Sequence, residues 1–108
     1  MLVIKQSSQY ESQGVFTDIP IKEGELIGIW VSKQPIGRRL YQEGMKETWY
    51  ESQVLGRYVN HSETPNTLIQ LQEDALVLYS KGISKEEEII ANYLELQKLI
   101  GYVPIVNF

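Results

Sequence analysis

The sequence predicts a mainly β domain with little helix. Short apolar runs alternate with turn residues along the chain. Seven tyrosines stand against two phenylalanines, a bias toward strands and toward surfaces that are apolar below and polar at the tip. Two strand-rich halves flank a polar centre at residues 56–66.

Taken in order, residues 2–5 read as a first strand and 14–19 as a second. Residues 20–25 form a turn in which Gly24 is free to adopt positive φ. A third strand covers 26–31 and ends in Trp30 and Val31. The stretch 32–55 is less regular: Pro35 and Gly37 precede a short helix expected around 39–44, then come Trp49 and Tyr50. Residues 67–72 alternate apolar and polar, and 75–80 follow after Glu73 and Asp74, so the two should form a hairpin. A last strand is expected over 88–93, then a short helix over 94–100 stopped by Gly101. The end, 102–108, is apolar enough to pack. A faint echo links Ile21-Lys22-Glu23-Gly24-Glu25-Leu26-Ile27 to Ile83-Ser84-Lys85-Glu86-Glu87-Glu88-Ile89. Each places a charged turn before an apolar strand, and one pair does not make a repeat architecture.

With 108 residues and an apolar fraction of 43%, the chain fits one domain and one small core. It has no cysteine. A disulfide framework and a thiolate zinc site are therefore excluded, and a reducing compartment is expected. No apolar run reaches membrane-span length, and the first residues lack the basic flank and apolar stretch of a signal peptide. The expectation is a soluble intracellular protein, cytoplasmic or, in a eukaryote or virus, nuclear. Net charge is −4, which argues against direct nucleic-acid binding. An acidic surface tolerates a cationic peptide, although acidity for solubility alone accounts for the charge equally well.

Chemistry concentrates in Arg57-Tyr58-Val59-Asn60-His61-Ser62-Glu63-Thr64-Pro65-Asn66. His61 is the only histidine, too little for a metal site. Ser62 is its neighbour, and adjacent side chains rarely face each other as nucleophile and base must. In isolation the segment reads as a turn rich in loop formers. As a whole, with Gly56 before it, it resembles the central signature of SET-domain methyltransferases. Two further segments are similar to that family in the required order. Upstream these are Gly14-Val15-Phe16 with Ile21 and Gly24-Glu25-Leu26-Ile27; downstream, Glu88-Ile89-Ile90-Ala91-Asn92-Tyr93.

The resemblance implies a single SET domain over 1–108, with core motifs in 3–93, a short insert at 32–55 and an apolar tail at 94–108. It implies several small curved sheets and a threaded C-terminal pseudoknot. The activity it implies is protein-lysine N-methyltransferase, histone-lysine methyltransferase-like, with S-adenosyl-L-methionine as cofactor. The partner would be a lysine-bearing protein or peptide, basic ones included. Tyr93 matches the catalytic tyrosine, which orients methyl and amine. Gly14, Gln13, Asn60 and His61 match cofactor-binding positions, together with Tyr93. Arg57 matches a position that supports the loop or approaches the cofactor carboxylate, with a surface ion pair as the plainer role. Ser62, Pro65 and Asn66 shape the turn and the pseudoknot. Trp49, Tyr50, Tyr102 and Phe108 are channel-wall or adenine-stacking candidates, with a core role favoured for Trp49; Tyr41 and Tyr58 are packing residues. No metal is implied.

The chain departs from the family pattern at four places. Ser12 stands for the first glycine of the N-terminal motif, Asn92 for an acidic residue, Glu86 for the closing motif's turn glycine and Glu63 for a common cysteine. No cysteine-rich flank follows Tyr93, so the tail from Tyr102 to Phe108 is expected to close the lysine channel, in its own chain or across a symmetric homodimer. Minimal stand-alone SET proteins of viral and microbial type are similarly compact. The alternative, favoured by Ser12 and the missing flank, is a degenerate SET domain acting as a binding or assembly module.

Overall fold

β1 (Leu2–Gln6) and β2 (Gln13–Thr17) form an antiparallel hairpin with Leu2 opposite Thr17 and Gln6 opposite Gln13. The structure is a computed structural model and describes residues 1–7 and 9–104. β3 (Leu26–Ser32) is the middle of a five-stranded sheet, between β5 (Trp49–Glu51) and β8 (Ala75–Ser80). β4 (Arg39–Leu40) borders β5, and β7 (Thr67–Gln72) borders β8. The second sheet has the order β1, β2, β9 (Glu88–Ala91), β6 (Asn60–His61). Helix is confined to α1 (Leu55–Tyr58) and α2 (Glu95–Ile100) among the described residues. The expected mainly β fold of several small sheets is the one observed.

The core lies between the two sheets. Val15, Val59, Leu76, Leu78 and Ile89 have no exposed surface, and Trp30 and Val31 keep 2%. β9 lies between β2 and β6 and is buried at all four positions, with Ile89 and Ala91 in the core. A strand covered on both faces reads as an unbroken apolar run, and Ile89-Ile90-Ala91 is one. The β7–β8 hairpin forms as expected, with Glu73 at φ 53° in its turn.

The helix expected around 39–44 is absent. Arg39 and Leu40 pair with Tyr50 and Trp49, and Gly44 takes φ 98° in the following turn. Strand pairing to β5 replaces the helix and packs Leu40 against the core. The final strand is shorter than expected, ending at Ala91 so that Asn92 and Tyr93 turn into α2. Gly101 caps α2 in the left-handed conformation, as its position predicts. The start of the tail packs: the Gln42 side-chain amide donates to the Val103 carbonyl and accepts from the Val103 N–H, both at 2.8 Å. Phe108 lies outside the described residues.

The two echo segments turn out to pair with each other. Ile21 and Ile83 exchange both backbone hydrogen bonds at 2.9 Å. Each is followed by the same turn. Glu25 N–H donates to the Lys22 carbonyl and Glu87 N–H to the Ser84 carbonyl, both at 3.1 Å. In each turn the carboxylate reaches back to a backbone N–H, Glu25 to Lys22 at 3.2 Å and Glu87 to Ser84 at 2.7 Å. Gly24 has φ 87° and Glu86, its counterpart, φ 67°. Glu86 therefore occupies a left-handed position that costs an ordinary residue about 1–2 kcal/mol. Glu86→Gly should raise stability by about 0.5–1 kcal/mol once the extra chain entropy of glycine is subtracted. A thermal melt should show a rise of a few degrees, and a fall would contradict the strain.

Candidate active site

The site is built where the segment 60–67 grips β9. β6 runs parallel to β9, with Asn60 beside Ile90 and His61 beside Ala91. Ser62 N–H continues the ladder to the Ala91 carbonyl at 3.0 Å. The chain then turns, and the Asn66 side chain meets β9 a second time. Its Nδ2 donates to the Glu88 carbonyl at 2.8 Å and its Oδ1 accepts from the Ile90 N–H at 2.9 Å. Thr67 Oγ1 donates to the Ile90 carbonyl at 2.9 Å. One amide side chain thus stands in for a neighbouring strand. The central motif thus holds the closing strand by backbone and side-chain hydrogen bonds together.

β9 delivers Tyr93 to a fixed place. Its N–H donates to His61 Nδ1 at 2.9 Å, and its hydroxyl donates to the Val59 carbonyl. Its ring centroid lies 5.3 Å from that of His61 and 5.8 Å from that of Trp30. Because Nδ1 accepts, a neutral His61 carries its proton on Nε2. Burial lowers the His61 pKa from its ordinary value, against a weaker opposite pull from Glu63. Burial, reinforced by the nearby Glu51 carboxylate, pushes the Tyr93 phenol up to about 12. Tyr93 is therefore a hydrogen-bonding phenol near neutrality and not a base.

The N-terminal loop meets the central motif on the other side of β9. Asn60 Nδ2 donates to the Gln13 carbonyl at 3.1 Å and to Glu88 Oε2 at 2.8 Å. Ser12 Oγ donates to Asn60 Oδ1 at 3.4 Å. Ser7 Oγ donates to Glu88 Oε1 at 2.8 Å. Gly14 is required here for a reason the sequence did not indicate. A Cβ on it would lie 2.3 Å from Glu88 Oε2, so glycine makes room for the buried carboxylate. Tyr10, which no sequence pattern singled out, places its hydroxyl on the His61 carbonyl. Gln13, Gly14, Asn60 and His61 thus converge, although they lie far apart in the chain.

Arg57 is exposed and lines a cavity of about 250 Å³ together with Tyr93. Trp30, Leu96, Tyr102 and Pro104 form its apolar walls, and Arg38 and Glu51 share it with Arg57. Gly56 lets α1 approach, since a Cβ there would sit 2.4 Å from the Trp30 carbonyl. Of the four channel candidates, Tyr102 lines this cavity. Trp49 is buried in the core and borders a different cavity, with Met45 and Lys33. Tyr50 is half-buried on β5, opposite Ser32 and Arg39. Arg38 and Glu51 were not foreseen; both lie in the irregular insert, where no spacing signals a cavity.

A mainly β fold whose closing strand is gripped by a central loop, and which sets a buried phenol against a backbone carbonyl, defines the class of this domain. The SET domain family pattern matches residues 12–94, and the chain belongs to the SET-domain family. Its fold is similar to that of a candidate histone methyltransferase of Plasmodium falciparum, with TM-score 0.61 at 21% identity, covering 87% of this chain and 97% of that one. It is also similar to a humanised mutant of the Chaetomium thermophilum Polycomb Repressive Complex 2 bound to an inhibitor, with TM-score 0.65 at 21% identity. That likeness covers 88% of this chain and 15% of the other. At such identity the likeness is one of fold. Among curated proteins none matches the chain by sequence. No helix among the described residues is long and apolar enough to cross a membrane.

The two titrations have opposite signs. A raised phenol pKa contributes stability that is present below pH 10 and lost as pH climbs toward about 12. A lowered histidine pKa contributes stability that is present above 6.5 and lost as pH falls below that value. Spectrophotometric titration should show a phenolate step near pH 12 that is missing in Tyr93→Phe. Ionisation of Tyr93 at pH 10 would contradict its burial.

Proposed function

We propose that this chain is an S-adenosylmethionine-dependent protein-lysine N-methyltransferase. The observation that carries the reading is the Tyr93 hydroxyl set on the Val59 carbonyl inside an apolar-walled cavity. The cofactor, when bound, supplies an electrophilic methyl on a sulfonium. Gln13, Gly14, Asn60 and His61 are the residues that would hold it. They fit: two distant segments converge there, with side-chain amide and backbone groups suited to an amino acid and a purine, and with the Tyr10 ring beside them.

Tyr93 donates its proton to Val59, which leaves its oxygen lone pairs for the reacting groups. Phenol and carbonyl oxygens suit weak CH···O contact with a polarised methyl and hydrogen bonding to an incoming amine. His61 holds the Tyr93 backbone, and Trp30 restrains its ring. Lysine must arrive uncharged to attack. The apolar part of the wall raises the cost of an ammonium, and two guanidinium groups, Arg38 and Arg57, outnumber the one carboxylate, Glu51, in the lining. The bound sulfonium would supply the methyl and keep the electron pair of the bond it gives up, while Tyr93 and the Val59 carbonyl would orient the lysine nitrogen that takes the methyl. The protein's contribution is alignment. Tyr102 and Pro104, from the same chain, form part of the wall of the Tyr93 cavity. This supports closure within one protomer, with no second copy needed for that wall.

A second reading also has an observation behind it. Tyr10 occupies the His61 carbonyl and the Ser12 side chain lies on Asn60, so a degenerate domain would have its cofactor side already filled. In that case the chain is a binding or assembly module.

Both readings meet one experiment. The enzyme should bind S-adenosylmethionine saturably and pass labelled methyl to a protein lysine. Tyr93→Phe should cut the rate about a hundredfold, as loss of one preorganised polar group does, with cofactor affinity little changed. A wild type that binds no cofactor and labels no lysine substrate removes the enzymatic reading. Full activity in Tyr93→Phe removes Tyr93 from the chemistry.

A further inference from the structure

Beside the Tyr93 cavity lies a second, polar one of about 380 Å³, lined in part by Gln53 and Tyr58. Arg38, Glu51 and Arg57 border both, so groups entering the two would lie side by side. The charges at this junction do not balance. Glu51, with 13% of its side chain exposed, accepts a hydrogen bond from Arg38 Nε at 2.8 Å. That pair is neutral. Arg57 makes no ion pair among the described residues. Its guanidinium carbon lies 5.7 Å from the Tyr58 ring centroid, which braces it at the cavity wall. An uncompensated guanidinium in a chain of net charge −4 is a local feature and not a consequence of overall charge.

We propose that the second cavity takes the carboxylate of an aspartate or glutamate one or two residues from the target lysine, with Arg57 as its main partner. The inference rests on reading the Tyr93 cavity as the lysine site. A guanidinium fork matches a carboxylate in two parallel hydrogen bonds. The same charge opposes entry of an ammonium, so a lysine flanked by further lysines is disfavoured. The preferred substrate is thus locally acidic, a preference that the overall charge of −4 did not indicate.

The test is a titration of short capped peptides, Gly-Lys-Glu, Gly-Lys-Gln and Gly-Lys-Lys, into the cofactor-free protein, followed by the Trp30 indole and Tyr93 amide resonances. S-Adenosylhomocysteine affinity is measured in parallel on every variant. The Glu peptide should bind about fivefold tighter than the Gln peptide, as a partly exposed ion pair allows. Arg57→Gln should erase that preference, and Arg57→Glu should reverse it toward the Lys peptide. Equal affinities in the wild type, binding of none of the peptides, or an unchanged order in both variants overturns the proposal. Loss of S-adenosylhomocysteine binding with the peptide order unchanged assigns Arg57 to the cofactor instead. A retained Glu preference without methyl transfer leaves the anion site standing and removes the enzymatic reading.

Discussion

The side-chain amide of Asn66 takes the place of a strand beside β9, and the rest of the site hangs on that substitution. It satisfies the Glu88 carbonyl and the Ile90 N–H together. Both belong to a strand buried at every position, where an unpaired peptide group costs about 1–3 kcal/mol. With Ser62 and Thr67 also bonded to β9, the closing strand is held by one segment at both ends of a turn. The grip sets where β9 ends, and so where Tyr93 stands relative to His61 and Val59. A polar turn in the sequence is thereby converted into the frame that positions the Tyr93 phenol.

What could be read in the sequence followed the range of the interactions. The β7–β8 hairpin and the Gly101 cap are local, and their residues announce them. The segment 57–66 was legible as a family signature, and it does assemble with Tyr93. The reason for Gly14 was not legible, because Glu88, the group it accommodates, is far along the chain. Tyr10, Arg38 and Glu51 were missed for the same reason. Each enters the site through a long-range contact that no local period encodes. The short helix expected in the insert failed where local preference met strand pairing, and pairing won.

The echo between residues 21–27 and 83–89 has a physical basis in the structure. Two like turns stand back to back through the Ile21–Ile83 bridge, and each launches a strand, β3 into one sheet and β9 into the other. Ile21 and Ile83 thus tie the two sheets at the point from which β9 departs. The short insert and tail complete the cavity economically: β4 and β5 supply Leu40 and Glu51, and Gln42 anchors the tail that brings in Tyr102.

Asn66→Asp tests the grip with little change of shape. Aspartate still accepts from the Ile90 N–H but cannot donate to the Glu88 carbonyl, and sets two acceptors against each other. Native-state hydrogen exchange reads the consequence residue by residue. If Asn66 holds the site together, the Ser62 and Tyr93 amides should lose about tenfold in protection or more, while the β7–β8 hairpin keeps its own. Unchanged protection at Tyr93 would contradict the account.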